Sequence, residues 1–304
     1  MQTYSHPTEI EFQRGAPTLR AVADLTERIG NLFSSPSFQA PMLPGIAIEL
    51  LDVARYPDID LRRVARMIER DPLLAGKVMQ RVQSPYFAGR VPISDLHQAI
   101  FRLGLDTIRD LVLEAALNIR LFTTPGYRGA MERIRRHSVA TAHIGRIIAA
   151  HTDQDPHRMY LLGLLHDVGL AAGLITIDQM FADGPHPPLH HVWPAIETNH
   201  EAAGTLLARI WDLPGDFARL LGQHHHFQAT GKDEMALASL HLAEAIANRI
   251  GRGVSAPGRP HQMRYVADII SPDVVATARR SLRMSQPKIV QIIRAAEEQL
   301  DATR

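Results

Sequence analysis

The chain has no cysteine in 304 residues. Disulfides and thiolate metal sites are therefore excluded, and any metal must rest on histidine, aspartate or glutamate. A dominant charge is missing as well. Lys and Arg number 33 against 32 Asp and Glu, so the formal net charge of +1 gives no general pull toward nucleic acid or an anionic membrane. Strand-type alternation of apolar and polar residues is almost absent. No stretch reads as the roughly 18 apolar residues of a membrane span. Met1 to Gly15 lacks the apolar core of a signal peptide. The expectations are a cytoplasmic protein with neither a membrane nor a nucleic-acid partner.

What the chain has is helical spacing nearly everywhere, on an ordinary globular composition of 45% hydrophobic and 21% charged residues. The sequence predicts an all-α, multi-helical fold. Residues 1–15 read as irregular, and a first helix runs from about Thr18 to Phe33. Ser34 to Pro44 is a linker rich in Pro and Ser. Short helices follow to Phe122, with Asp60, Asp71 and Ser94 as expected N-caps. Ser84-Pro85-Tyr86 interrupts one of them. Thr123 to Gly126 is the next break, and Asp155-Pro156 starts another helix. The prolines at 185, 187 and 188 mark a loop expected to carry His186, His190 and His191. Further helices are expected over 195–211, 214–226 and 235–250. After a linker at 255–260 come two amphipathic helices separated near Ser285-Gln286-Pro287. The organisation expected is an extension with one helix (1–40), a first helical half (41–125), a histidine-bearing half (126–254) and a helical tail (255–304).

The chemistry concentrates in the histidine-bearing half. His166-Asp167 sits inside the apolar run Met159 to Leu170. A buried carboxylate beside a buried imidazole costs several kcal/mol unless both are paired or bind a cation. Candidate partners lie on other apolar helix faces. His137 shares the three-four spacing of Ile134, Thr141, Ile144 and Ile148. His200 falls with Ile196, Ala203 and Leu207. His224 follows Phe217, Leu220 and Leu221, and His225 is next to it. Glu244 lies with Leu237, Leu240 and Ala247. The candidate ligands are thus His137, His166, Asp167, His200, His224, His225 and Glu244. Imidazole and carboxylate without thiolate suit Fe, Mn, Zn or Mg. One ion would use four to six of these groups. Two ions would share Asp167 as a bridge and could polarise a phosphoryl group for attack.

Other features read more plainly. Arg62-Arg63 to Arg70 is expected to be a solvated face. So is the run Arg128, Arg133, Arg135, Arg136, with phosphate contact as its alternative. His186, His190, His191 and His226 are expected at the surface. Ser94 to Leu111, hinged at Gly104, has the outline of a helix-turn-helix but too few basic residues for DNA.

The order His137, His166-Asp167, His200, His224-His225 and a late acid resembles the HD superfamily of metal-dependent phosphohydrolases. Leu43-Pro44, Ile68-Glu69-Arg70-Asp71-Pro72-Leu73, Ser84-Pro85-Tyr86-Phe87 and Ala99-Ile100-Phe101-Arg102-Leu103-Gly104 narrow the resemblance to the HDOD domain, the HD-related output domain of bacterial signalling proteins. Gly163 to Gly169 and Trp211-Asp212-Leu213-Pro214 continue it, so that it covers about Pro41 to Gly251. The resemblance implies an HD-like helical fold with an N-terminal helical subdomain and a regulatory role, generally without catalysis. Four positions depart from related patterns. Leu170 stands where cyclic-di-GMP phosphodiesterases of the superfamily carry lysine. No Gly-Tyr-Pro follows His224-His225-His226. Glu244 replaces the last metal aspartate, and Gln83 stands where HDOD domains often carry asparagine. The implied function is a bacterial signalling regulator with a metal pocket and little or no turnover. The implied partners are receiver, cyclase or kinase proteins, a nucleotide ligand, or a second copy as a homodimer. The alternative is a metal-dependent phosphohydrolase acting on a nucleotide or other phosphoester, with Asp167 as its essential carboxylate.

Overall fold

A computed structural model describes residues 19–35, 38–43, 45–53, 61–84, 87, 92–213, 215–226, 233–254 and 272–302. Among these residues the fold is all-α, with no strand. The expectations for residues 1–15, the cap at Asp60 and the linker at 255–260 lie outside them.

Helix α1 (Leu19–Phe33) buries Leu25, Ile29 and Phe33. Its partner is distant in sequence. It lies along α10 (Leu189–Ile210), where the Asn199 side-chain amide donates to the Thr26 carbonyl at 3.0 Å. The first helical layer comprises α2 (Gly45–Val53), α3 (Leu61–Glu69), α4 (Pro72–Val82), α5 (Leu96–Leu103) and α6 (Leu105–Arg120). Helix α6 packs against α2, α4 and α5 and then against α8 (Pro156–Leu165), which joins this layer to the histidine-bearing helices. Asp71 caps α4, accepting from the backbone N–H groups of Leu73 (3.1 Å) and Leu74 (3.0 Å). The cap of α5 is Asp95, not Ser94. Asp95 accepts from Gln98 N at 2.8 Å, and the Ser94 hydroxyl donates to the Asp95 carboxylate. Gly104 at φ +79 makes the sharp junction between α5 and α6.

The second layer centres on α7 (Arg128–Ala149). It packs against α8, α12 (Glu234–Arg249) and α14 (Gln286–Ala302). The remaining α-helices are α9 (Val168–Met180), α11 (Phe217–Leu221) and α13 (Pro272–Ser281). One face of α7 joins the main core. The opposite stripe, Ala140, Ile144 and Ile148, forms a second apolar cluster with α12, α13 and α14, including Leu242, Leu282 and Ile292. The tail helices are therefore held by burial, as their amphipathic pattern requires.

Two glycines set the close approaches around the site. A Cβ on residue 163 of α8 would lie 2.7 Å from Ala142 N of α7. A Cβ on residue 169 of α9 would lie 1.9 Å from the His200 carbonyl of α10. Only glycine permits helix backbones to meet this closely.

Three further sequence-based expectations need correcting. Pro156–Met180 is in fact long and apolar enough to span a membrane by composition. However, 94% of the relevant window is buried in the fold, so core packing accounts for it. Helix α10 starts at Leu189, so His190 and His191 are helical, and His191 is buried. Helix α11 covers only Phe217–Leu221, which leaves His224 and His225 in the turn after it.

Candidate metal centre

The seven expected ligands converge at one place. Helix α7 brings His137, and the break between α8 and α9 brings His166 and Asp167. Helix α10 brings His200, the turn after α11 brings His224 and His225, and α12 brings Glu244. The close approach at Gly163 sets His137 Nε2 3.2 Å from His166 Nε2. The close approach at Gly169 brings the Asp167 segment against His200.

Asp167 lies between two groups of imidazoles and faces each with a different oxygen. Its Oδ2 is 3.2 Å from His166 Nε2 and 3.7 Å from His137 Nε2. Its Oδ1 is 3.4 Å from His224 Nε2 and 3.9 Å from His200 Nε2. His200 Nε2 in turn lies 3.2 Å from His224 Nε2 and 3.0 Å from His225 Nε2. Glu244 Oε1 is 3.4 Å from His166 Nε2. The donor atoms fall into two sets, His137–His166–Asp167 and Asp167–His200–His224–His225, each compact enough for one ion.

The other ring nitrogen explains why the Nε2 atoms meet. His166, His200 and His224 each place Nδ1 against the carbonyl three residues earlier: Gly163 at 2.8 Å, Glu197 at 2.5 Å and Leu221 at 2.8 Å. His137 Nδ1 lies 3.0 Å from the Arg252 carbonyl. A carbonyl only accepts, so each Nδ1 carries a proton, and whenever a ring is neutral its Nε2 presents a lone pair. Four such lone pairs converge on a carboxylate. Lone pairs 3.2 Å apart repel unless a proton or a cation stands between them. Backbone carbonyls behind ligand imidazoles are also the usual outer shell of metal sites. Asp167 Oδ1, although buried, has no hydrogen-bond partner. The orphaned oxygen, the converging lone pairs and the hard-to-borderline donor set fit a divalent cation.

Electrostatics split the imidazoles. Burial, reinforced by neighbouring histidines, pushes His137 and His200 down to about 4. Burial also depresses His225, below the usual imidazole range. At His166 burial opposes the proton, but Asp167 and Glu244 outweigh it and raise the pKa to about 9. Asp167 is held well below the ordinary carboxylate range, because the surrounding imidazoles overcome its burial. Without a metal, His166 therefore carries the compensating proton.

His241 is a neighbour that pattern reading missed. It is 3% exposed on α12, and burial followed by His224 and His166 lowers it to about 4. The available signal was its place one turn before Glu244 on the same stripe. His186 and His226 make pairings of their own. His186 pairs with Asp178 at 2.9 Å, and His226 pairs with Glu201 at 3.2 Å. Arg135 is taken up by Glu132 through two bonds of 2.8 and 2.6 Å.

Comparison with known proteins decides the family. The model of the HDOD domain matches residues 40–227, more than half of the chain. The chain belongs to the HDOD domain family. An uncharacterized protein of Treponema pallidum is 24% identical over 244 residues, which are 77% of this chain. The chain spans 45% of that curated relative's length. A Marinobacter aquaeolei structure with the provisional name of a signal transduction protein superposes with a TM-score of 0.65 at 18% identity, covering 93% of this chain and 64% of its own. A Shewanella amazonensis structure, provisionally named a metal-dependent phosphohydrolase, gives 0.61 at 17% identity, covering 86% and 99%. At these identities the HDOD chain shares their fold.

Proposed function

We propose that this HDOD chain is a cytoplasmic bacterial signalling regulator that acts through protein partners or a bound ligand. Its histidine–aspartate centre would hold a divalent metal as a structural or sensing element, with little or no catalysis. The closure of the site supports this reading. His137 and His200 are 4% exposed, Asp167 and Glu244 2%, His166 1% and His224 0%. A catalytic metal keeps an open position that substrate can reach. Here only His225, half-buried, borders solvent. Leu170 is fully buried and offers no cation for a substrate phosphate.

His137, His166 and Asp167 would hold one ion, with Glu244 beside them. His200, His224, His225 and Asp167 would hold a second. Fe, Mn, Zn and Mg suit these donors. When bound, a divalent ion supplies Lewis acidity and the positive charge that the two buried carboxylates call for. The chain's own groups do the positioning. The carbonyls of Gly163, Glu197, Leu221 and Arg252 keep the Nδ1 protons in place, and Gly163 and Gly169 keep the helices close. Within this reading residues 126–254 form the metal-bearing half and 41–125 the docking half. The partners would be receiver, cyclase or kinase proteins, with a nucleotide as the small-ligand candidate.

A second reading, a metal-dependent phosphohydrolase acting on a nucleotide or other phosphoester, is favoured by one observation. Asp167 faces both imidazole groups with separate oxygens, as a bridging carboxylate does in two-metal hydrolases. The Shewanella relative's provisional name points the same way. The test is turnover of the metal-reconstituted protein on phosphomonoesters, nucleotides and cyclic dinucleotides. The regulator reading predicts rates far below about 1 s⁻¹. Turnover at or above that level, lost in Asp167→Asn, would replace it with the hydrolase.

A further inference from the structure

The turn that carries His224 and His225 follows a helix of only five residues, Phe217–Leu221. Helical spacing ends there, so other contacts must fix where the two imidazoles stand. Two of them lie within the turn itself. His224 Nδ1 donates to the Leu221 carbonyl at 2.8 Å, and His226 N donates to the Gln223 carbonyl at 2.8 Å. Another comes from α10. Glu201 Oε1 accepts from the His225 backbone N–H at 3.2 Å, and Glu201 Oε2 lies 3.2 Å from His226 Nε2. The same Oε1 is 3.9 Å from His224 Nδ1. One carboxylate thus faces three consecutive residues of the turn.

Glu201 follows His200 directly. Neighbours on a helix point about 100° apart, so His200 enters the centre while Glu201 reaches around α10 to the turn. It meets the Nδ1 edge of His224, the main chain of His225 and the side chain of His226. The donor atoms of the second set are those of Asp167, His200, His224 and His225. Glu201 therefore stands behind the ligands rather than among them. The first set depends on different contacts. His137 and His166 come together where α7 and α8 meet at Gly163. The two sets answer to different parts of the fold, and the second includes His225, the ligand that borders solvent.

We propose that Glu201 is a positioning residue that clasps the His224–His225 turn to α10 and so sets the affinity of the second, solvent-side ion alone. The inference rests on the metal centre of the regulator reading, in its two-ion form, and makes the second ion the exchangeable one. A backbone N–H in a half-buried turn needs an acceptor, and Glu201 supplies it from the helix that carries His200. Groups that orient metal ligands from behind are commonly worth ten- to a hundredfold in affinity.

The test is equilibrium dialysis of the full chain against manganese, for wild type, Glu201→Ala and Glu201→Gln. Wild type should hold two ions. Glu201→Ala should weaken one of them by at least about tenfold and leave the other within about twofold. Glutamine keeps an oxygen that can accept from the His225 N–H, so Glu201→Gln should recover most of the loss. Both residues suit a helix, and the helical circular dichroism should not change. A second readout needs no metal. Exchange of the His225 amide with solvent, followed by NMR, should quicken about tenfold in Glu201→Ala, the worth of one hydrogen bond, and stay slow in Glu201→Gln. An unaffected Glu201→Ala, equal weakening of both ions, or a glutamine variant no better than alanine overturns the proposal. So does a wild type that holds fewer than two ions. The two readings fail separately. Turnover at about 1 s⁻¹ or above with the Glu201 effect intact removes the regulator and keeps the clasp. A catalytically silent two-ion protein indifferent to Glu201→Ala removes the clasp alone.

Discussion

The His200 carbonyl occupies the space where any side chain on residue 169 would begin. A Cβ there would lie 1.9 Å from that oxygen and 3.0 Å from Gly204 N, both of them backbone atoms of α10. The contact holds the start of α9, and with it Asp167, against the helix that carries His200.

Gly169→Ala must therefore push α9 from α10. The expected cost is about 3 kcal/mol or more, in the range of severe overpacking, and metal content should fall with it. Gly184→Ala is the control, since nothing lies within 4 Å of a Cβ there. Urea denaturation of the two variants compares them. A Gly169→Ala protein as stable as the control would show that α9 can retreat without consequence.

Much of this arrangement was legible in the sequence. His137 and His200 lie on unbroken three-four stripes, and such stripes point inward whatever they pack against. The caps at Asp71 and Asp155 were legible because proline follows each directly. Other features were not. Pro187 and Pro188 suggested that the loop continues past His191. Proline, however, is tolerated at a helix start, and α10 begins immediately after Pro188. Ser94 and Asp95 are both good caps, and local sequence does not say which residue takes the extended backbone. The helical stripe that pointed to His224 ends at Leu221. Its imidazole reaches the centre from a turn, by donating to the Leu221 carbonyl. The meeting of Nε2 atoms depends on two glycine contacts between elements distant in sequence, which no local pattern encodes.

A buried ion cluster at the α6–α7–α8 junction offers a second test. Asp110 is 3% exposed and bonds the Arg146 guanidinium, with Arg109 Nε at 3.5 Å and His157 Nδ1 at 3.4 Å. Removing Asp110 leaves the half-buried Arg146 without its counter-charge, while Arg109 and His157 keep Asp106 at 3.1 and 3.3 Å. Asp110→Ala is expected to cost about 2 kcal/mol in chemical denaturation, with metal content unmoved. A loss under about 0.5 kcal/mol, the size of a surface effect, would mean that the cluster contributes nothing net.

His143 makes a pH prediction. It is 5% exposed on α7, and the Gln299 amide of α14 lies 2.9 Å from its Nδ1. Burial, then Arg146 and Arg81, lower its pKa from 6.5 to about 3. The unfolded chain takes up a proton below about 6.5 where the folded chain does not. Its contribution is therefore complete above that pH and is lost as pH falls toward 3, at up to roughly 1.4 kcal/mol per pH unit. His143→Gln should flatten the fall in stability between about pH 6.5 and pH 4.5. An unchanged slope would mean that His143 protonates freely in the fold.

Metal content by plasma mass spectrometry, on untagged wild type and Asp167→Asn, tests the central claim most directly. The account predicts roughly one to two equivalents of divalent metal per chain in the wild type. Asp167→Asn should lose that metal while keeping the helical circular dichroism. A metal-free wild type after reconstitution with Fe, Mn and Zn would contradict the account and leave the converging imidazoles held by the His166 proton alone.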